Sequence, residues 1–152
     1  MFHSQSVSLE AALKGGVFPP LETFPSPFDP GERGVIRIVF PEFTCVCPKT
    51  GYPDFAQIQL FYLPEATCLE LKSWKLYLNA FRMIGTYHES LVAHLFRTIT
   101  DLVAPHWALL VGDFLPRGNV DTTVLIETPT PRPPGVDLLA GTQKPLCRAP
   151  LT

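Results

Sequence analysis

The chain has 152 residues, 12 basic and 14 acidic side chains, a formal net charge of −2 and 46% hydrophobic residues. That is one domain's worth of chain, with no bulk positive field to favour a nucleic-acid partner. Its 17 prolines and 10 glycines stay below the share, roughly a quarter, that marks low-complexity chains. Only 17% of residues are charged, against about 25% in an average domain, so part of the apolar surface is expected in subunit contacts. No run of about 18 apolar residues occurs, and Met1–Gly16 lacks a basic start followed by an apolar stretch. Neither a membrane span nor a secretory signal is therefore expected. Cys45, Cys47, Cys68 and Cys147 are then expected as reduced thiols in a cytoplasmic protein.

In chain order, residues 1–34 read as an arm. Ser8–Lys14 is expected to form one or two helical turns, ending at Gly15-Gly16. Prolines follow up to Pro30 with Phe18, Phe24 and Phe28 among them, a composition unsuited to a sheet interior but rich in rings that favour burial. Val35–Phe40 (VIRIVF) predicts a strand. Phe43–Pro53 predicts a loop, from Thr44, Pro48, Gly51 and Pro53. Ala56–Tyr62 alternates, with Ala56, Ile58 and Leu60 on one face and Gln57 and Gln59 on the other, which predicts a half-buried strand. Thr67–Glu70 reads as a short extended piece and Lys72–Arg82 as a helix. Thr86–Val103 is the clearest helix, its apolar positions from Leu91 to Val103 at helical spacing and Pro105 closing it. Trp107–Leu115 and Val120–Ile126 predict two strands joined by a turn at Pro116-Arg117-Gly118-Asn119. Residues 35–127 thus form an α+β core, and 128–152 a Pro-rich tail.

Two segments carry chemistry. The first, Glu42–Asp54, places Cys, Lys and Asp within one predicted loop. A thiolate can attack an electrophilic carbon while a carboxylic acid handles the proton, and Lys49 beside Cys47 would lower the thiol pKa. The same residues are also consistent with a small buried hydrophobe and a turn aspartate, and Cys45-x-Cys47 with a zinc chelate, although that spacing is unusual for zinc. In the second, Glu70–Tyr77, Lys72, Lys75, Asn79 and Arg82 fall on one helix face. Lysines in a first turn oppose the macrodipole, so they point to an incoming phosphate, or else to a solvated face. Thr86 and Glu89 fit a capping box. Glu70 and Glu89 also suit the N–H donors of a guanine-like ring, which a bidentate carboxylate matches in plane, and both are expected to aim into one pocket.

Together these segments resemble the 7-cyano-7-deazaguanine reductase (QueF) family of nitrile reductases. Three pieces carry the resemblance: Cys47-Pro-Lys-Thr-Gly-Tyr-Pro-Asp-Phe-Ala56, the Glu-x-Lys-Ser-x-Lys-x-Tyr signature at Glu70–Tyr77, and Phe81-Arg82 leading to His88-Glu89. Phe114-Leu-Pro-Arg-Gly118 is similar to a later Pro-Arg-Gly turn of the family. The resemblance covers about half of the chain, Glu42 to Gly118. It implies the tunnelling fold, an antiparallel sheet with two helices on one face that closes into a barrel on oligomerisation, with pentameric rings stacked as a decamer and sites at subunit contacts. It implies Cys47 as the nucleophile that forms a thioimide with the nitrile carbon, and Asp54 as general acid. It implies Leu69, Glu70, Leu71, His88 and Glu89 as substrate contacts, and Lys72, Ser73, Lys75 and Arg117 as contacts to the cofactor NADPH. The product would be the 7-aminomethyl compound of queuosine biosynthesis, a tRNA modification, with no direct nucleic-acid contact and no metal. The N-terminal arm, the tail after Glu127 and Cys45 match nothing in that pattern.

Three other readings share the fold. A GTP cyclohydrolase I-like hydrolase would need zinc, an amidinotransferase-like enzyme would keep Cys47 and Asp54 without NADPH, and a ring-forming purine-binding module would leave Cys47 inert.

Overall fold

The computed structural model describes residues 6–136. Its elements are β1 (Val7–Ser8), α1 (Leu9–Lys14), β2 (Thr23–Pro25), β3 (Ile36–Val46), β4 (Pro53–Leu63), β5 (Thr67–Leu69), α2 (Leu71–Asn79), a 3-10 turn (Ala80–Met83), β6 (Ile84–Gly85), α3 (His88–Val103), β7 (Trp107–Arg117) and β8 (Val120–Glu127). The main sheet has the order β1-β6-β3-β4-β7-β8, and β2 pairs with β5 apart from it. From β3 to β8 the neighbours are antiparallel, but β6 runs parallel to both β1 and β3. The expected antiparallel sheet is therefore a mixed one. The chain crosses the helix layer through α2 before it re-enters the sheet at β6, and so arrives in the direction of β3.

The helices cover one face of the sheet. Leu91, Val92, Leu95, Ile99 and Val103 make the buried stripe of α3, which lies against β7 and β8. Each such aliphatic side chain contributes about 1.5–3 kcal/mol on burial. Ala104, in the left-handed region at φ 46°, caps α3 just before Pro105. Close approach of α3 to the sheet depends on Gly112. A Cβ there would sit 2.6 Å from Val92 Cγ2 and 3.0 Å from Phe114 Cε2.

The opposite face of the sheet is also buried toward one end, where Phe61, Trp107, Leu109, Val111 and Val136 cluster with Val35 and Leu63. The expected half-buried β4 is thus buried on both faces. Gln59 is only 1% exposed, and it accepts from Arg37 and donates to Gln57. Val136, from the chain beyond Glu127, joins the cluster on this face. After Glu127 the chain folds back, Arg132 donates twice to the Glu127 carboxylate, and Trp107 Nε1 donates to the same group. Residues 137–152, including Cys147, lie outside the described residues.

Ser8 caps α1 through its hydroxyl, and Val7–Ser8 adds to the sheet edge. Phe18 packs on Tyr77 and Phe81, with ring centroids 5.0 and 4.7 Å away. Phe24 and Phe28 remain 45% and 38% exposed, more than their size alone predicts.

Two bulges set which side chains face the helices. In β3 the pair Phe40–Ile58 is followed by Phe43–Ala56, three residues against two, so one extra residue sits beside Pro41. In β7 the pair Phe114–Thr122 is followed by Arg117–Val120, again with one extra residue, beside Pro116. A bulge reverses the alternation beyond it. Cys45 and Arg117 are thereby turned to the face that Asp54 shares with Ala56 and Ile58. Strand β3 consequently runs on through Phe43–Val46, which the sequence reads as loop. The β7–β8 turn narrows to Gly118-Asn119, both with positive φ (53° and 65°), as a two-residue hairpin of right-handed twist requires.

Candidate active site

Cys47 follows the last residue of β3 and opens a tight turn. Its N–H donates to the Tyr52 carbonyl and its carbonyl accepts from Gly51 N–H, at 2.8 and 2.9 Å. Gly51, at φ 73°, adopts a conformation that a side chain would strain. The turn aims donors at the sulfur. Burial raises the Cys47 thiol, but hydrogen bonds from the Thr50 hydroxyl and from the N–H groups of Thr50 and Lys49 outweigh it, and the thiol ends below its ordinary value. Lys49 thus acts through its backbone and not, as the sequence suggests, through its ammonium group. Cys45 differs. It is fully buried, and burial together with the nearby Asp54 and Cys47 pushes its thiol up to about 12.

Asp54 stands opposite Cys45 in the β3–β4 ladder and is buried. Its carboxylate is held from two sides. Oδ2 is 3.3 Å from His88 Nε2, and Oδ1 is 3.4 Å from Arg117 Nε. The His88 ring lies flat on Phe114, with centroids 3.7 Å apart and planes 8° apart. Cys47, Asp54, His88, Glu89 and Arg117 line one cavity of about 420 Å³, with Pro48, Thr50, Tyr52, Thr86, Tyr87 and Gly118. Glu89 is exposed in it. The expected Thr86–Glu89 capping box does not form: α3 is capped by Tyr87 without a side-chain bond, and the Thr86 hydroxyl donates to the Tyr87 carbonyl.

The second motif lies elsewhere. The Leu69 N–H donates to the Tyr62 hydroxyl, near the end of β4 opposite Asp54, and about 3.3 Å per residue puts those two β4 positions roughly 25 Å apart. Glu70 caps α2, its two oxygens accepting from Lys72 N–H and Ser73 N–H at 2.9 and 2.7 Å. Those two bonds, in that order, hold its carboxyl below the usual range and leave lone pairs for further donors. Leu69 is buried, while Leu71, Lys72 and Lys75 are exposed. Ser73 is buried, donates to the Glu70 carbonyl and accepts from Glu22 N–H, so its single proton is already engaged. None of these six residues lines the Cys47 cavity. Within one chain, Glu70 and Glu89 do not meet.

Sequence reasoning quotes Thr50 and Phe114 inside its motifs but gives neither a role. The turn residues around Gly51 signal the first. Nothing local signals the stacking of the second on His88, because the two are distant in sequence.

The arrangement can activate a thiol beside a buried carboxyl group, in a pocket that His88, Glu89 and Arg117 also line with the hydroxyls of Thr50, Tyr52, Thr86 and Tyr87. A family profile described as QueF-like protein matches residues 53–133. The NADPH-dependent 7-cyano-7-deazaguanine reductase of Aquifex aeolicus (strain VF5) is 46% identical over 108 residues, 71% of this chain and 83% of that protein. The enzyme of the same name from Anaeromyxobacter sp. (strain K) is 50% identical over 104 residues, 68% and 84% of the two chains. That from Thioalkalivibrio sulfidiphilus (strain HL-EbGR7) is 49% identical over 107 residues, 70% and 82%. Among solved structures, the apo form of the archaeosine synthase QueF-Like matches with a TM-score of 0.58 at 20% identity, covering 62% of this chain and 92% of that one. At that identity the likeness is one of fold.

Proposed function

Because the chain belongs to the NADPH-dependent 7-cyano-7-deazaguanine reductase (QueF) family, we propose that this oxidoreductase reduces the nitrile of 7-cyano-7-deazaguanine to the aminomethyl group, as a step toward queuosine, through a covalent adduct on Cys47. The observation that carries the mechanism is the placement of Cys47 and Asp54 in one cavity, the thiol activated and the carboxylate braced on both sides. Family membership, not geometry, separates this reading from the hydrolase, transferase and binding-module readings.

The Cys47 thiol gives its proton to the Asp54 carboxylate as the sulfur adds to the nitrile carbon, one π bond of the C≡N group breaks, and Asp54 passes that proton on to the nitrogen. The product is a neutral thioimide, a far better hydride acceptor than the nitrile. NADPH supplies hydride when bound; two NADPH and two protons balance the reduction of one nitrile to one amine. After the first hydride the Cys47 thiolate departs and leaves an imine; reduction of that imine by the second hydride, and release of the amine, restore the enzyme for the next substrate. His88 and Arg117 keep the Asp54 carboxyl group aimed at the cavity. Lys72 and Lys75 fit the cofactor phosphates, since both are exposed and make no ion pair among the described residues. Arg117 is 43% exposed at its side chain and can reach a phosphate from the cavity side. Ser73 supports α2 instead, through the bonds already described.

Of the two glutamates that the resemblance sets on the guanine-like edge, the described residues of one chain bring Glu89 to the cavity and leave Glu70 away from it. We infer that Glu70 comes from a neighbouring copy. The exposed surface supports this: Tyr52 and Tyr87 line the cavity and are largely exposed, Phe55 and Leu115 are exposed on the adjoining strands, and edge strand β8 presents Val120 at 65% exposed. Such an edge favours pairing with another chain, as the ring assemblies implied by the resemblance require. Mixing decides the point. Cys47→Ala and Glu70→Gln, each inactive alone, are co-assembled by denaturation and refolding together. Shared sites regain NADPH oxidation on the nitrile; no recovery in mixed oligomers, verified by mass, means that each chain carries a whole site.

A further inference from the structure

Asp54 is braced by His88, but nothing on α3 fixes the His88 ring. It is the first residue of the helix, and the Tyr87 cap makes no side-chain bond. Its side chain is partly exposed, with Nε2 3.3 Å from Asp54. An imidazole in that position rotates about its Cβ–Cγ bond unless a flat surface stops it. Phe114 is that surface, at 3.7 Å and 8°.

We propose that Phe114 is a positioning residue for the reduction: its ring holds the His88 imidazole with Nε2 on the Asp54 carboxylate, and so keeps the acid aimed at the nitrile nitrogen. This rests on the function proposed above and adds a residue to it. Three features support the assignment. Phe114 is buried, so its ring is itself fixed. Gly112 leaves the space the ring occupies, because a Cβ there would press on Phe114 Cε2 at 3.0 Å. Phe114 is also the last regular pair before the β7 bulge, so the strand that carries the plate also delivers Arg117 to the other Asp54 oxygen. A leucine has similar apolar character but offers no plane.

The test compares Phe114→Leu, Phe114→Met and Phe114→Tyr with the full-length protein. Steady-state reduction of 7-cyano-7-deazaguanine should show kcat lowered about tenfold or more in the Leu and Met variants, with both KM values within about twofold. Phe114→Tyr, which keeps the ring, should restore most of kcat. The ¹H and ¹⁵N signals of the His88 ring, assigned by comparison with His88→Gln, give a readout independent of turnover. Wild type and Phe114→Tyr should show ring protons shifted upfield and one fixed nitrogen pattern; the Leu and Met variants should lose both. Wild-type kcat in a folded Leu or Met variant whose ring shift has gone overturns the proposal, as does a folded Tyr variant that keeps the ring shift and yet fails like Leu. If wild type itself does not reduce the nitrile, the functional reading fails. The His88 signals then decide whether Phe114 orients the ring, and unchanged signals in the Leu variant overturn that as well.

Discussion

Gly112→Ala tests how the sheet and α3 together build the site. The added methyl would lie 2.6 Å from Val92 Cγ2 and 3.0 Å from Phe114 Cε2, where carbon contacts settle near 3.5–4.0 Å. Opening the first contact means a displacement of about 1 Å, and Val92 is fully buried on α3, so the helix itself must give. Overpacking of this kind costs about 1–3 kcal/mol. For a chain of this size each kcal/mol lowers Tm by roughly 2–4 °C, so a fall of roughly 2–12 °C is expected by calorimetry. Activity should fall further than stability explains, because the same methyl displaces the Phe114 plate beneath His88. Adding Val92→Ala removes the 2.6 Å contact and should return most of the Tm while leaving kcat low. The two sites touch, so their effects should couple by about 0.5 kcal/mol or more. A Gly112→Ala protein with wild-type Tm and kcat would refute the close-packing argument.

Three further outcomes follow from the site. Cys47→Ala and Cys47→Ser should abolish reduction and adduct formation, whereas Cys45→Ala, at a thiol held protonated in the core, should keep most activity at a stability cost of about 1 kcal/mol; intact-protein mass and turnover assays check both. Alkylation of Cys47 by iodoacetamide should rise with pH through a midpoint below the ordinary 9.0 of a thiol. Thr50→Val should move that midpoint upward, because a bond that favours the thiolate is lost; an unmoved midpoint would leave the Thr50 hydroxyl without its role. Lys72→Ala/Lys75→Ala should raise KM for NADPH more than KM for the nitrile, and equal changes would remove the lysines from cofactor binding.

The periodic elements were legible in the chain. Leu91 to Val103 gives α3 its stripe, and Val35–Phe40 and Ala56–Tyr62 locate the central strands. What escaped depends on distant partners or on proline read as a breaker. Pro41 and Pro116 look like strand endings, yet each sits at a bulge, where a missing N–H is tolerated, and the strand continues with its faces reversed. That reversal turns Cys45 and Arg117 to the Asp54 side, and no period-2 reading that stops at the proline can find it. Gln59 reads as a solvent position because alternation sees only its own strand, not Arg37 of β3, which donates to it, or the cluster that covers its face. Cys47, Asp54, His88 and Glu89 were found as local motifs and meet in one cavity. The Glu70 motif was found equally well, but its distance from that cavity is set by the length of β4 and emerges only from the fold.

The central claim is that Cys47 bonds to the nitrile carbon and that reduction proceeds from that adduct. Intact-protein mass after mixing with 7-cyano-7-deazaguanine alone, followed by NADPH absorbance once cofactor is added, tests it directly. The account predicts a substrate-sized mass increase that maps to Cys47, its disappearance on adding NADPH, and two NADPH consumed per nitrile. NADPH oxidation at the same stoichiometry in Cys47→Ala would contradict it.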